Sequence, residues 1–258
     1  ALAVELFHNF TLIHDDIMDK ANLRRGAKTV HEKWDNNIAI LSGDTMLVQS
    51  YSLLSDLELN IQANVYKVFS DTAKQVCEGQ QLDMDFEQIQ ELEISEYIEM
   101  IKKKTSVLLA ASFQIGALIA NASIEDTSLM YQFGLNIGIA FQLQDDMLDL
   151  YGDQSKFGKK TGGDIISNKK TYLFLKSLSL ANSQQEKTLI ELFSNPTINE
   201  DKKIQEVKNI FDEVGVLEHI KVQINYYHKQ AQNNLKELTI KNKDDLNDFA
   251  NLLLKREV

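Results

Sequence analysis

One acidic pattern occurs twice in this chain, both times in apolar surroundings. It reads Leu-Ile-His-Asp-Asp-Ile-Met-Asp at residues 12–19 and Gln-Leu-Gln-Asp-Asp-Met-Leu-Asp at residues 142–149. Each copy sets acids at i and i+4, Asp15 with Asp19 and Asp145 with Asp149. On a helix such pairs stand one above the other on a single face. The intervening Asp16 and Asp146 lie about 100° round the axis, better suited to indirect or water-mediated contact. Six carboxylates on two apolar helices would raise one another's pKa unless a cation compensates them. An all-oxygen donor set favours Mg²⁺ over zinc, and Mg²⁺ held by one or two carboxylates keeps positions for phosphate oxygens. Two such faces opposite each other suggest a metal-bridged diphosphate. One copy alone would mean little, because acids at this spacing are common on solvated helix faces.

The rest of the composition agrees with helices. Pro196 is the single proline of 258 residues and there are 11 glycines, a poor supply of turns for a β protein. The length suits one sizeable domain or two small ones, and 43% apolar residues suffice for a core. A formal charge of -11 excludes a phosphate backbone as partner, so no nucleic acid is expected. Cys77 has no second cysteine to pair with, which fits a reducing, cytoplasmic compartment. The longest apolar run, residues 107–120, contains Ser112 and Gln114 and is short for a bilayer; it reads as a buried core helix, and no membrane span is expected.

In chain order, residues 1–20 are helical and begin mid-pattern without a cap, with no cationic start of the signal-peptide kind. Residues 21–29 read as a polar loop around Gly26, residues 37–57 and 62–90 as helices, and residues 91–103 as a short polar helix ending in a lysine run. Two apolar, small-residue helices follow at 107–120 and 131–142, then a second basic loop at 152–170. Residues 172–258 read as four or so amphipathic helices broken at Asn195-Pro196-Thr197. His14 is expected to hydrogen-bond a carboxylate or carbonyl, and His219 and His228 to be ordinary residues. There is no zinc constellation, no Ser/His/Asp or Cys/His set, and no P-loop or dinucleotide fingerprint.

Asp15-Asp16-Ile17-Met18-Asp19 followed by Arg24-Arg25-Gly26 resembles the first aspartate-rich motif of the trans-type polyprenyl diphosphate synthases. The stretch from Phe141 to Asp149, followed by Gly158-Lys159 and Asp164, resembles the second. Gly43-Asp44, Gly79-Gln80, Leu82-Asp83, Lys104-Thr105 and Lys169-x-Thr171 are further points of likeness, which extends over nearly the whole chain. The resemblance implies an all-α fold, a bundle of long helices around a deep central cavity. It implies a single synthase domain over residues 1–258 that lacks the family's N-terminal helices, because nothing matches the Gly-Gly-Lys-Arg-type segment that holds isopentenyl diphosphate.

The implied reaction is Mg²⁺-dependent condensation of isopentenyl diphosphate with an allylic diphosphate to a C15–C20 product, by a homodimer. The metal ligands would be Asp15, Asp16, Asp19, Asp145, Asp146 and Asp149, holding about three Mg²⁺ ions. Arg24 would bind the allylic diphosphate and Arg25 the isopentenyl diphosphate; Lys104, Lys159 and Lys169 would add positive charge. Thr105 and Gln142 would steady an allylic cation. Phe10, about 7.5 Å along the helix from Asp15, would stop chain growth, with Phe7 and Thr11 beside it. Two other readings share parts of this pattern. A class I terpene cyclase has the helical fold and one aspartate-rich motif, and a noncatalytic subunit of a heteromeric synthase could keep an idle site.

Overall fold

The computed structural model describes residues 1–89, 91–152, 161–194, 198–240 and 242–254, and those residues are helical almost throughout. Helix α1 (Leu2–Met18) carries the first acidic motif at its C-terminal end. A two-strand ribbon follows, β1 (Leu23–Arg24) against β2 (Ala27–Lys28), then the single turn α2 (Val30–Lys33). Helix α3 (Asn36–Ser52) is capped by Asp35, whose side chain accepts from the Ile38 N–H at 2.9 Å. A 3-10 turn (Leu53–Asp56) leads into α4 (Leu59–Phe86). Helix α5 (Ile94–Ile101) starts on a capping box between Glu93 and Glu96 and runs through a π turn (Lys102–Ser106) into α6 (Val107–Ile119). Helix α7 (Ile124–Tyr151), capped by Ser123, carries the second motif. The remaining helices are α8 (Gly163–Ile166), α9 (Tyr172–Leu180), α10 (Ser183–Ser194), α11 (Glu200–Glu213), α12 (Val216–Glu237) and α13 (Asp244–Leu254).

Three expectations change. Residues 21–29 form a tight hairpin, because Arg25 (φ 53°) and Gly26 (φ 78°) both take the left-handed conformation of a two-residue turn. The helix expected over 131–142 is the middle of the unbroken α7, so the second motif lies on the core helix itself. Five helices, not about four, occupy residues 172–254 among the described residues.

Most of the buried apolar side chains belong to one cluster, including Phe7, Val65, Phe69, Tyr97, Val107 and Leu143. A smaller cluster of Phe133, Ile137, Ala231, Leu235, Leu238 and Ala250 seats α12 and α13 against α7. Full burial of each large side chain contributes about 1.5–3 kcal/mol. Two glycines let backbones meet at the π turn. A Cβ on Gly79 of α4 would lie 2.6 Å from the Lys103 carbonyl carbon, and one on Gly138 of α7 would lie 2.6 Å from Ser106 Cα. The π turn is therefore gripped from both sides. Among the described residues no helix is long and apolar enough to cross a membrane.

Candidate active site

The first motif sits where α1 ends. Asp16 is buried and ion-paired to Arg24, with Nη2 at 2.7 Å and Nε donating at 2.8 Å to the same carboxylate oxygen. Arg24 Nη2 also stands 3.3 Å from Asp15. The hairpin delivers this contact, since β1 folds Arg24 back over the last turn of α1. Lys104 Nζ lies 3.2 Å from Asp15 and donates to Asp83 of α4 at 2.6 Å. Lys169 Nζ lies 3.4 Å from Asp19. Three cations thus meet the carboxylates of the first motif.

Burial pulls down the pKa of both lysines, and the surrounding carboxylates more than offset it. Asp83 and Asp15 hold the Lys104 ammonium above its ordinary value. Asp19, Asp83, Asp164 and Asp15 do the same for Lys169.

The second motif is drier. Asp146 is buried, which pushes its pKa up to about 7, against the opposing effect of hydrogen bonds from Tyr97 and Gln142. The Gln142 amide donates to it at 3.2 Å, and the Tyr97 hydroxyl donates to its other oxygen. Thr105 in turn donates to the Gln142 side-chain oxygen at 3.0 Å, so Thr105, Gln142, Asp146 and Tyr97 form one chain of hydrogen bonds. Asp149 accepts the Asp164 N–H at 3.0 Å at the start of α8. Burial, then the nearby charges of Asp149 and Asp146, raises the Asp164 carboxyl.

A cavity of about 700 Å³ runs from this polar group into the bundle. At one end stand Asp15, Arg24, Arg25, Lys104, Thr105, Gln142 and Asp145; elsewhere the wall is mainly apolar, with Phe10, Leu108, Leu109 and Phe141. A smaller space of about 90 Å³, lined by Tyr97, Asp83, Asp146, Asp164 and Lys169, shares Lys104, Thr105 and Gln142 with it. The volume lies in the range of about 300–1,000 Å³ typical of small-molecule sites.

The donors suit Mg²⁺. Asp15 Oδ1 is buried without a hydrogen-bond partner, although Lys104 is near, and the acids around it offer oxygen only. Among the described residues no three His, Cys, Asp or Glu side chains cluster into a ready cage. Mg²⁺ does not need one, since it binds through one or two carboxylates with the other positions filled by water and phosphate.

The structure brings most of the expected residues to this place and sets others apart. Thr11 and Phe10 line the cavity; Phe7 does not, its ring being packed in the core 5.6 Å from Phe10 and 5.4 Å from Phe69. Lys159 lies outside the described residues. His14 donates from Nε2 to the Ile40 carbonyl at 3.2 Å, the structural role expected of it.

Two residues of the site have no signal in the motifs. Tyr97 reaches Asp146 from 49 positions away, and only its place among the apolar residues of α5 hints at burial. Lys170 donates to the carbonyls of Phe86, Glu87 and Ile89, tying the segment that carries Lys169 to the end of α4.

Comparison with known proteins agrees with this arrangement. The family model described as polyprenyl synthetase matches residues 1–214. A short chain isoprenyl diphosphate synthase of Methanocaldococcus jannaschii is 42% identical over 211 residues, 81% of this chain and 64% of that protein. The chain thus spans less than two thirds of that relative's length. A geranylgeranyl pyrophosphate synthase of Geoglobus acetivorans is 34% identical over the whole of this chain and 79% of its own. The crystal structure of a geranylgeranyl pyrophosphate synthetase from Pyrococcus horikoshii superposes with a TM-score of 0.92 at 34% identity, covering 99% of this chain and 78% of that one. Another crystal structure, of a geranylgeranyl pyrophosphate synthase, gives a TM-score of 0.94 at 46% identity over 99% of this chain and 80% of that one. With the fold, the doubled acidic motif and the match over residues 1–214 in agreement, this chain belongs to the polyprenyl synthetase family.

Proposed function

We propose that the protein joins isopentenyl diphosphate to an allylic diphosphate and releases a short prenyl diphosphate of C15–C20 length. One observation carries the reading. A single cavity has acids from both motifs and three cationic side chains at one end, and a long apolar wall beyond them.

Asp15, Asp19 and Asp145 would hold about three Mg²⁺ ions, with Asp16, Asp146 and Asp149 behind them keeping their present partners. Mg²⁺ bound there neutralises charge on a leaving diphosphate. Arg25 would present a planar guanidinium fork to phosphate oxygens, and Arg24, Lys104 and Lys169 would add positive charge from where their carboxylate partners hold them. Ionisation breaks the C–O bond of the allylic substrate, and the isopentenyl double bond then attacks the allylic carbon. A proton leaves the new product to the departed pyrophosphate. Thr105 and Gln142, both lining the cavity, would steady the allylic cation, and the apolar wall would keep water out. Phe10 narrows the wall near the acids. Lys159 is kept as a further diphosphate ligand on the resemblance alone.

The exposed residues Ile38, Leu41 and Val48 recur at helical spacing on α3, which supports a homodimer built on that helix. The lone, exposed Cys77 is consistent with a cytoplasmic protein.

The test is condensation by the full-length protein with labelled isopentenyl diphosphate, allylic starters and Mg²⁺. A discrete prenyl diphosphate is expected, falling on the order of 10²–10³-fold in Asp15→Ala. Pyrophosphate released from geranyl diphosphate without isopentenyl diphosphate would instead mark a cyclase and overturn the reading.

A further inference from the structure

The cavity does not end at Phe10. On α1 its lining continues past Phe10 to His8 and Val4, about 10 and 16 Å along the axis from Asp15. What bounds it further in comes from the other end of the chain, because Phe249 and Leu253 of α13 belong to the same wall. The depth of Phe249 follows from its neighbours. Its ring lies 5.6 Å from that of Phe113 on α6, eight residues and about 12 Å beyond Thr105 of the π turn. Phe113 packs in turn on Phe133, 4.9 Å away, and against Gly134, about 16 Å along α7 from Asp145. Leu253 comes one turn later on α13, and the next residue, Leu254, accepts from the Gln144 amide at 3.2 Å beside Asp145. Helix α13 therefore runs along the cavity toward its acidic mouth, with Phe249 at the end farther from the acids. This helix lies outside residues 1–214, the part matched by the family model.

We propose that Phe249 is a specificity-determining residue that limits how far a prenyl chain extends, acting beyond Phe10 and from the C-terminal helix. The inference rests on the condensation reading above. A growing tail that passes Phe10 follows the apolar wall and meets the Phe249 ring, which is braced edge-on by Phe113. The residue is 36% exposed and lies outside the buried core, so shortening it enlarges the cavity without emptying the core.

The experiment sizes the products of the full-length protein and of Phe249→Ala, Phe249→Leu and Phe249→Trp, with Phe10→Ala alongside and helical content checked for each. Alanine is expected to move the main product longer by at least one five-carbon unit, leucine to give an intermediate mixture, and tryptophan to shorten it. Should alanine fail to fold, leucine and tryptophan carry the test in opposite directions. Unchanged product lengths in an active Phe249 series would overturn the proposal, even if Phe10→Ala lengthens the product. A wild-type protein that makes no prenyl diphosphate would instead overturn the reading beneath it.

Discussion

Asp126 shows how one carboxylate can hold a distant segment. It sits in the first turn of α7 and accepts the Thr239 N–H at 2.8 Å, the Thr239 hydroxyl at 2.6 Å and the Ser123 hydroxyl at 3.1 Å. These bonds, those from Thr239 foremost, hold its pKa below the ordinary 3.8. A depressed carboxylate stabilises the fold above its unfolded pKa, and that contribution is lost as pH falls through the folded value. Asp126→Asn is therefore expected to lower the denaturation midpoint at neutral pH. The gap to wild type should close as pH drops below 3.8, and urea titrations across that range check it. A gap independent of pH would mean that shape, not charge, ties residue 239 to α7.

The same scale separates what the sequence shows from what it hides. Asp15, Arg24 and Lys104 were readable because each belongs to a short local pattern. Tyr97 and Phe249 were not, because each acts on residues brought close only by folding. Phe7 illustrates the opposite error: helical spacing puts it near Phe10, yet the ring turns into the core.

Among elements, the long helices were legible from apolar periodicity and scarce proline. The π turn was not, because Lys102–Ser106 has no composition that distinguishes it from an ordinary helix end. The neighbouring helices pack closely on it at Gly79 and Gly138. Gly79→Ala should gain helix propensity of up to about 1 kcal/mol but push a methyl into the Lys103 backbone. The expected net result is a loss of about 1–3 kcal/mol, with weaker binding of the proposed diphosphate substrate because Lys104 is displaced. Gly116→Ala is the control, since a Cβ there meets nothing within 4 Å and should stabilise. Denaturant melts of the pair check both, and a stabilised Gly79→Ala with unchanged substrate affinity would show that the turn has room. The hairpin at β1 and β2 escaped the sequence for a different reason. Arg25 at φ 53° is an unusual residue for a left-handed turn, and nothing local announces it.

For the whole molecule, the order of elements brings acids of the two motif helices to one end of a single cavity and leaves apolar side chains outward on α3. Leu41 and Val48 are 65% and 66% exposed. Leu41→Asp is expected to convert a dimer to monomers in sedimentation velocity while far-ultraviolet dichroism stays unchanged. A wild-type protein already monomeric would remove α3 as an interface. The all-helical architecture was readable at this scale, since a doubled acidic motif and long helices leave few arrangements. How the last helix closes the cavity was not, because α13 lies about a hundred residues past the second motif and shares no pattern with it.

The π turn has one more consequence. It works as a frameshift in the helical register: one additional residue rotates everything after it by about 100° relative to a continuous helix. Lys104 and Thr105 lie inside the turn, where the offset is introduced, and both line the cavity. A continuous α-helix over the same residues would turn α6 by that angle relative to α5. A change that smoothed the helix would turn Leu108, Leu109 and Ser112 of α6 away from the cavity they now line.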